Sequence, residues 1–395
     1  MSEEQAGFRK DRSTVQQILI LRLLAEKAKR SGKKIYNCFI DFQKAFDTIK
    51  HKIIWMVLKS YGVDNKMVTL LQQIYGKSRS AVRIGMDLGE WFQSSVGTRQ
   101  GDPLSPLLFI TYLERIMDQI TSNSFGINVG GTMISNLRFA DDIDLLNDNH
   151  FSLQEHIEQL TKTAEDAGLM VNIKKTKTMV FGDKNIDEQM EINGEYIENV
   201  EEFEYLGSLL TWDNNCSKEI RRRIGKATSA MASLKHTWNT KKLTVESKIK
   251  LLTTCVFSVL LYASETWTLK EADKQKLLAF EMRCYRRILK IHWTDMVRNI
   301  DIRKQLGADE TIIDVIKKRK LRLFGHICRM DNSRMLKHVV FSKTDGKSRR
   351  GRPCREWLDD ITDWCGCSFQ DLVHLAQSRY RWKNLIQTVV GPNGR

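Results

Sequence analysis

The chain has 395 residues, 42% hydrophobic and 28% charged, which fits two or three folded domains and excludes a disordered chain. The start, MSEEQAGFRK, is too polar for a secretory signal, and the apolar uncharged run LLTTCVFSVLLYAS (251–264) has 14 residues, short of the ~20 that span a bilayer. The net charge of +15 is uneven: residues 1–213 hold 25 Lys+Arg against 30 Asp+Glu, and residues 214–395 hold 38 against 18.

Those numbers lead us to expect an intracellular protein, in the nucleus and/or cytoplasm, with no membrane partner. A neutral-to-acidic half joined to a basic half suggests chemistry in the first and grip on a polyanion in the second. The eight cysteines are scattered and are expected to be reduced. Cys354, Cys365 and Cys367, with His374 nearby, have a C-x10-C-x-C spacing that lacks the C-x2-C knuckle of structural zinc sites.

In chain order, strands are expected at 34–41 (KIYNCFID), 81–85 (AVRIG), 136–140 (NLRFA), 142–146 (DIDLL) and 177–182 (KTMVFG). Helices are expected from Asp47 to about Tyr61, from the Asp102-Pro103 cap, and from the Ser-x-x-Glu box at 152–155 to a stop at Gly168. Interleaved strands and helices give an α+β sheet domain through about residue 213. From 214 to about 292 the pattern is helical and basic, and beyond 293 it is helical with loops around a basic linker at 342–353.

Asp141 and Asp142 stand side by side between two strand-like runs. Buried together they repel and raise each other's pKa, so the pair is either a solvated hairpin tip or part of a metal site. Asp41 ends the apolar strand NCFID, a usual place for a ligand group. If the 139–142 turn lies on the neighbouring hairpin, Asp41, Asp141 and Asp142 converge and suit two Mg²⁺ ions about 3.5–4 Å apart, as nucleotidyl transfer needs.

Six blocks then occur in order: GFRKDRST (7–14), CFIDFQKAFDTIKH (38–51), GTRQGDPLSPLLF (97–109), FADD (139–142), GLMVNIKKTKT (168–178) and YLG (205–207). Together they resemble the reverse transcriptase domain of non-LTR (LINE-type) retrotransposons, beginning inside the family's second conserved block. The later segments FGHICRM (324–330) and RRGRPCREWLDDI (349–361) match the carboxyl-terminal part of such proteins more loosely.

The resemblance implies a right-hand polymerase. Partial fingers and palm would occupy 1–213, a helical thumb 214–292 and a basic carboxyl-terminal region 293–395. Its implied activity is RNA-directed DNA polymerisation with two Mg²⁺ ions, or Mn²⁺ in their place. Its implied partners are an RNA template, a DNA primer or target DNA, and dNTPs. Asp41, Asp141 and Asp142 become the catalytic metal ligands, with the carbonyl of Phe42 a further one.

Phe46 takes the place under the sugar, where a ring collides with a ribose 2′-OH and disfavours RNA synthesis. Gln100 and Gly101 lie against the incoming nucleotide, while Arg9 and Arg12 hold its triphosphate. Lys175 is open between a proton donor to pyrophosphate and a solvated loop lysine. Tyr205, Leu206 and Gly207 form the hairpin that steadies the primer end.

Two basic stripes suit duplex phosphates: Arg221, Arg222, Arg223 and Lys226, then Arg283, Arg286, Arg287 and Lys290. Either stripe also reads as a solvated helix face. Trp238, Trp267 and Trp293 are expected to be packing aromatics. Arg350 and Arg352, in Arg-Gly-Arg-Pro, belong either to a flexible basic linker or to a minor-groove hook. The rival reading of the whole is a catalytically inactive, element-derived nucleic-acid-binding remnant.

Overall fold

The structure, a computed structural model, describes residues 1–120, 125–184, 188–342 and 354–391. The chain forms two compact units. The first comprises Met1–Gln17 and Ser31–Leu206, and the second Ile18–Arg30, Gly207–Phe341 and the described part of the carboxyl-terminal segment.

The helix α1 (Thr14–Ser31) opens the chain and is followed by β1 (Ile35–Ile40), whose six residues are all buried. Apolar residues on both faces make β1 the centre of a sheet rather than an edge. The helices α2 (Ala45–Thr48) and α3 (His51–Ser60) stand where one helix was expected. Tertiary pairing interrupts it: Lys50 bridges Val96, the Gly97 amide donates to the Ile49 carbonyl at 2.8 Å, and Ile49 is pulled into an extended conformation.

Next come α4 (Asn65–Gly76) and a short exposed hairpin of β2 (Arg83–Ile84) and β3 (Asp87–Leu88), all that forms of the expected 81–85 strand. The helix α5 (Ser105–Ile120) starts two residues after Pro103. Asp102 still serves its entry, accepting from the Leu104 amide at 2.9 Å.

A hairpin, β4 (Ile127–Val129) with β5 (Thr132–Ile134), precedes β6 (Asn136–Phe139) and β7 (Asp142–Asn147). The helix α6 (His150–Ala167) starts earlier than the Ser152 box suggested. Asn149 is its cap, accepting from the Ser152 amide, and Gly168 ends it at φ 90° as expected. The strand β8 (Lys177–Phe181) leads to three short ones, β9 (Glu191–Ile192), β10 (Glu195–Tyr196) and β11 (Glu198–Asn199).

The main sheet has the order β11-β8-β1-β7-β6, with β1 antiparallel to both β7 and β8. The register pairs Ile40 with Ile143 and Cys38 with both Leu145 and Thr178. Because side chains alternate along a strand, Tyr36, Cys38, Ile40, Ile143 and Leu145 face one way. They join Phe109, Leu113, Leu153, Ile157 and Leu160 of α5 and α6 in one core. Each such buried side chain contributes about 1.5–3 kcal/mol. Asn37, Phe39, Asp41, Asp142 and Asp144 are left on the opposite face.

The second unit is built mainly from helices after β12 (Glu202–Tyr205) and β13 (Ser208–Thr211). Its principal helices are α7 (Cys216–Ser233), α8 (Glu271–Leu289), α9 (Ile312–Cys328), α10 (Trp357–Cys365) and α11 (Arg379–Val390). Trp238 and Trp267 are fully buried, as expected, whereas Trp293 is 74% exposed and packs no core. No helix among the described residues is long and apolar enough to cross a membrane.

Candidate active site

Strand register brings two of the carboxylates together and leaves the third in the adjoining turn. Asp41 and Asp142 are the next residues outward from the Ile40–Ile143 pair, so the two strand ends place them side by side. The β6–β7 pairing closes at Phe139–Asp142, which leaves Ala140 and Asp141 as the two-residue turn. Ala140 has φ 60°, a left-handed conformation that a two-residue hairpin turn demands and that a non-glycine residue adopts only when held there.

Burial, and then the neighbouring Asp141 and Asp41 charges, push the Asp142 carboxyl up to about 6. Asp141 is raised too, by burial and by Asp41. Asp41 Oδ2 is buried without a hydrogen-bond partner, and Lys175 Nζ lies 3.8 Å from it. Oxygen donors, crowded negative charge and an unsatisfied carboxylate oxygen fit a hard dication. No three His, Cys, Asp or Glu side chains among the described residues already stand together as a metal-ligand set. The fit is therefore one of chemistry and placement.

The segment 170–176 backs this edge. Asn172 N donates to the Asp41 carbonyl at 2.7 Å, Asp41 N donates to Thr176 Oγ1 at 3.2 Å, and Phe42 bridges Val171. Lys175 is thereby held beside Asp41 by its own loop.

Sequence reasoning missed the residues that hold the turn. Gln5 is fully buried, and its Oε1 accepts from the Ala140 amide at 3.1 Å while its Nε2 donates to the Ala140 carbonyl at 3.2 Å. Gly7 lies so close that a Cβ there would come within 2.2 Å of Ala140 N. Arg138, next on β6, is buried against Glu114 of α5 at 3.3 Å, and Ser2 hydrogen-bonds both side chains. The sequence carried no signal for Gln5, and Gly7 was visible only as the first residue of the block at 7–14.

Arg9 and Arg12 follow Gln5 and Gly7 closely in sequence but are turned onto their own segment. Arg9 donates to the carbonyls of Ser2 and Gln5, and Arg12 pairs with Glu3. Phe46 is half-buried and stacks on Phe109 with ring centres 4.2 Å apart. Gln100 and Gly101 are exposed, and Gly101 has φ 86° with open space where a Cβ would stand.

Tyr205 is buried against Phe39, its hydroxyl without a partner, and burial followed by Asp144 and Asp142 holds its proton well above the usual phenol range. Leu206 and Gly207 follow it at φ 46° and 78°.

The expected stripe on α7 is only partly a surface. Arg222 and Arg223 turn inward, each binding Glu219 and the Gly207 carbonyl, and the Arg223 guanidinium lies 4.5 Å from the Tyr262 ring centre. A buried Glu219 draws them in, because a carboxylate taken from water needs cationic partners. Arg221 and Lys226 remain exposed. On α8, Arg283 and Arg287 are exposed, Lys290 caps the helix end at φ 58°, and Arg286 donates to the Val297 carbonyl and Asn299. Arg350 and Arg352 lie outside the described residues.

The family model for reverse transcriptase (RNA-dependent DNA polymerase) matches residues 1–210. A Pol polyprotein of the R2 retrotransposable element of Nasonia vitripennis is 28% identical over 162 residues, covering 41% of this chain and 16% of that protein. The RNA-directed DNA polymerase from mobile element jockey of Drosophila funebris is 24% identical over 344 residues, covering 82% of this chain and 36% of its own length. Thus the chain spans well under half of these two relatives. Among solved structures, apo telomerase from Candida tropicalis aligns with a TM-score of 0.41 at 12% identity, over 85% of this chain and 57% of that one. With the match to the family model running from the Gln5 segment through the carboxylate edge to β13, the chain belongs to the reverse transcriptase (RNA-dependent DNA polymerase) family, in its non-LTR retrotransposon branch.

Proposed function

We propose that the first unit adds dNTPs to the 3′ end of a DNA primer or target strand, copying an RNA template, with Asp41, Asp141 and Asp142 as the catalytic carboxylates. The observation that carries this is the strand register that sets Asp41 beside Asp142, with Asp141 in the turn between β6 and β7. These residues, with the carbonyl of Phe42, would hold two Mg²⁺ ions, or Mn²⁺ in their place. When bound, such a pair activates the attacking 3′-oxygen and offsets charge on the leaving pyrophosphate.

The protein's own groups do the rest. Lys175 hands a proton to the departing pyrophosphate, a role supported by its distance of 3.8 Å from Asp41 Oδ2. Phe46 excludes the ribose 2′-OH, and Gln100 and Gly101 lie along the incoming nucleotide. Tyr205, Leu206 and Gly207 steady the primer end. Exposed Arg221, Arg283 and Arg287, with Arg350 and Arg352, attract nucleic-acid phosphates; Arg222, Arg223 and Arg286 shape that surface from beneath or beside it.

The test is extension of a DNA primer on an RNA template with dNTPs and Mg²⁺, compared with Asp141→Asn. A second reading, a nucleic-acid-binding remnant without polymerase activity, is favoured by the engagement of Arg9 and Arg12 with residues 2–5. Salt-sensitive duplex binding with no extension selects it.

A further inference from the structure

Phe46 and the loop before α5 are joined at one atom. The Phe46 carbonyl, 52 positions from Thr98 in the chain, accepts both the Thr98 amide at 2.7 Å and the Thr98 hydroxyl at 3.1 Å. Neighbouring contacts extend the seam. The Gly97 amide donates to Ile49 O at 2.8 Å, and His51 Nε2 lies 2.7 Å from Gly97 O. Gly97 has φ 82°, and a Cβ there would come within 2.9 Å of Asp47 O, so the loop crosses the Phe46 segment at the closest approach a backbone allows. Two residues beyond Thr98 the same loop presents Gln100 and Gly101.

We propose that Thr98 is a positioning residue for sugar selection: its two donors fix the Phe46 backbone, and so the height of the Phe46 ring against the 2′ position of the incoming nucleotide. This rests on the reading of Phe46 given above. The ring stacks on Phe109 at 4.2 Å and packs against the core of the first unit, while its backbone is held by the Thr98 pair. Loss of the hydroxyl leaves the amide bond in place. The loop then stays attached while Phe46 gains freedom to yield to a 2′-OH. The same loop carries Gln100, so a shift at Thr98 changes how the sugar and the base of one nucleotide are held relative to each other.

The experiment measures single-nucleotide incorporation of dNTPs and rNTPs by the full chain on an RNA template with a DNA primer, taking the ratio of the two kcat/KM values. Thr98→Val and Thr98→Ala each lower that ratio by about three- to tenfold, while Thr98→Ser, which keeps the hydroxyl, stays within about twofold of the parent. A structural stitch alone lowers both rates together and leaves the ratio where it was. Phe46→Val is the control. If it lowers the ratio and neither Thr98→Val nor Thr98→Ala does, the inference is overturned and the reading of Phe46 stands. If Phe46→Val leaves the ratio unchanged, the reading of Phe46 fails and takes the inference with it. No incorporation by the parent chain removes the polymerase reading and both claims.

Discussion

Gln5 and Ala140, 135 positions apart, are joined by two hydrogen bonds that match one side-chain amide to one peptide residue, donor to acceptor and acceptor to donor. The Ala140 backbone is left-handed, a state that costs an alanine of order 1–2 kcal/mol, and this pairing offsets that strain at the residue preceding Asp141. The turn therefore depends on a segment far away in sequence.

Gln5→Leu, similar in size but unable to pair, leaves the Ala140 amide and carbonyl buried without partners. We expect a loss of about 1–3 kcal/mol in denaturant unfolding. Primer extension should fall at least about tenfold, because a displacement of the order of 1 Å at a reacting centre is enough for that. Binding of a primer-template duplex should be retained.

The Glu114–Arg138 pair makes a second prediction. Both side chains are at least 96% buried, and burial lowers the proton affinity of Arg138 while Glu114 restores it. Glu114→Ala strands the guanidinium and should cost about 3–5 kcal/mol. Replacing both residues, Glu114→Leu with Arg138→Met, should recover much of that loss in the same unfolding measurement, since a well-packed apolar pair substitutes for a buried ion pair.

How much of this could be read from the sequence depends on whether the signal was local. The β1 strand end at Asp41, the hairpin around Asp141 and the glycine stop at Gly168 are set by alternation, turn chemistry and a helix cap, and each was visible. The helix expected from Asp47 breaks at Ile49 because the 95–98 segment pairs with it, a contact between stretches some fifty residues apart that periodicity does not record. The inward turn of Arg222 and Arg223 was hidden for a similar reason. Nothing in CSKEIRRRIGK says that Glu219 is buried, and once it is, the adjacent guanidiniums follow. Gln5 is the clearest omission, a polar residue in a charged opening segment whose role appears only when the β6–β7 turn folds over it.

Glu26, in the second unit, gives that unit a pH signature. Its carboxylate oxygens accept from the Thr268 hydroxyl at 3.0 Å and the Trp357 amide at 3.1 Å, and burial pushes its carboxyl up from 4.5 to about 7. A folded-state value above the unfolded one means that the native protein holds the proton more tightly. Its stabilising contribution is complete below about pH 4.5 and is lost as pH rises through about 7. Unfolding of the second unit, followed by denaturant titration at pH 5 and pH 8, should show a decline of roughly 2–3 kcal/mol from this group. Glu26→Gln should abolish that component, and a decline of the same size in the variant would assign it elsewhere.

The central claim is that Asp41, Asp141 and Asp142 act together on one metal-dependent reaction. Its most direct test is steady-state extension of a DNA primer on an RNA template across a Mg²⁺ titration, for the parent chain, Asp41→Asn and Asp141→Asn, with thermal unfolding measured on each. The account predicts Mg²⁺-dependent extension by the parent and a loss of at least about a hundredfold in each variant, of the size seen when transition-state charge stabilisation is removed. It also predicts unfolding temperatures equal to or above the parent's, because removing one of three crowded negative charges relieves repulsion. Extension by Asp141→Asn at the parent's rate, or parent extension indifferent to Mg²⁺, would contradict it.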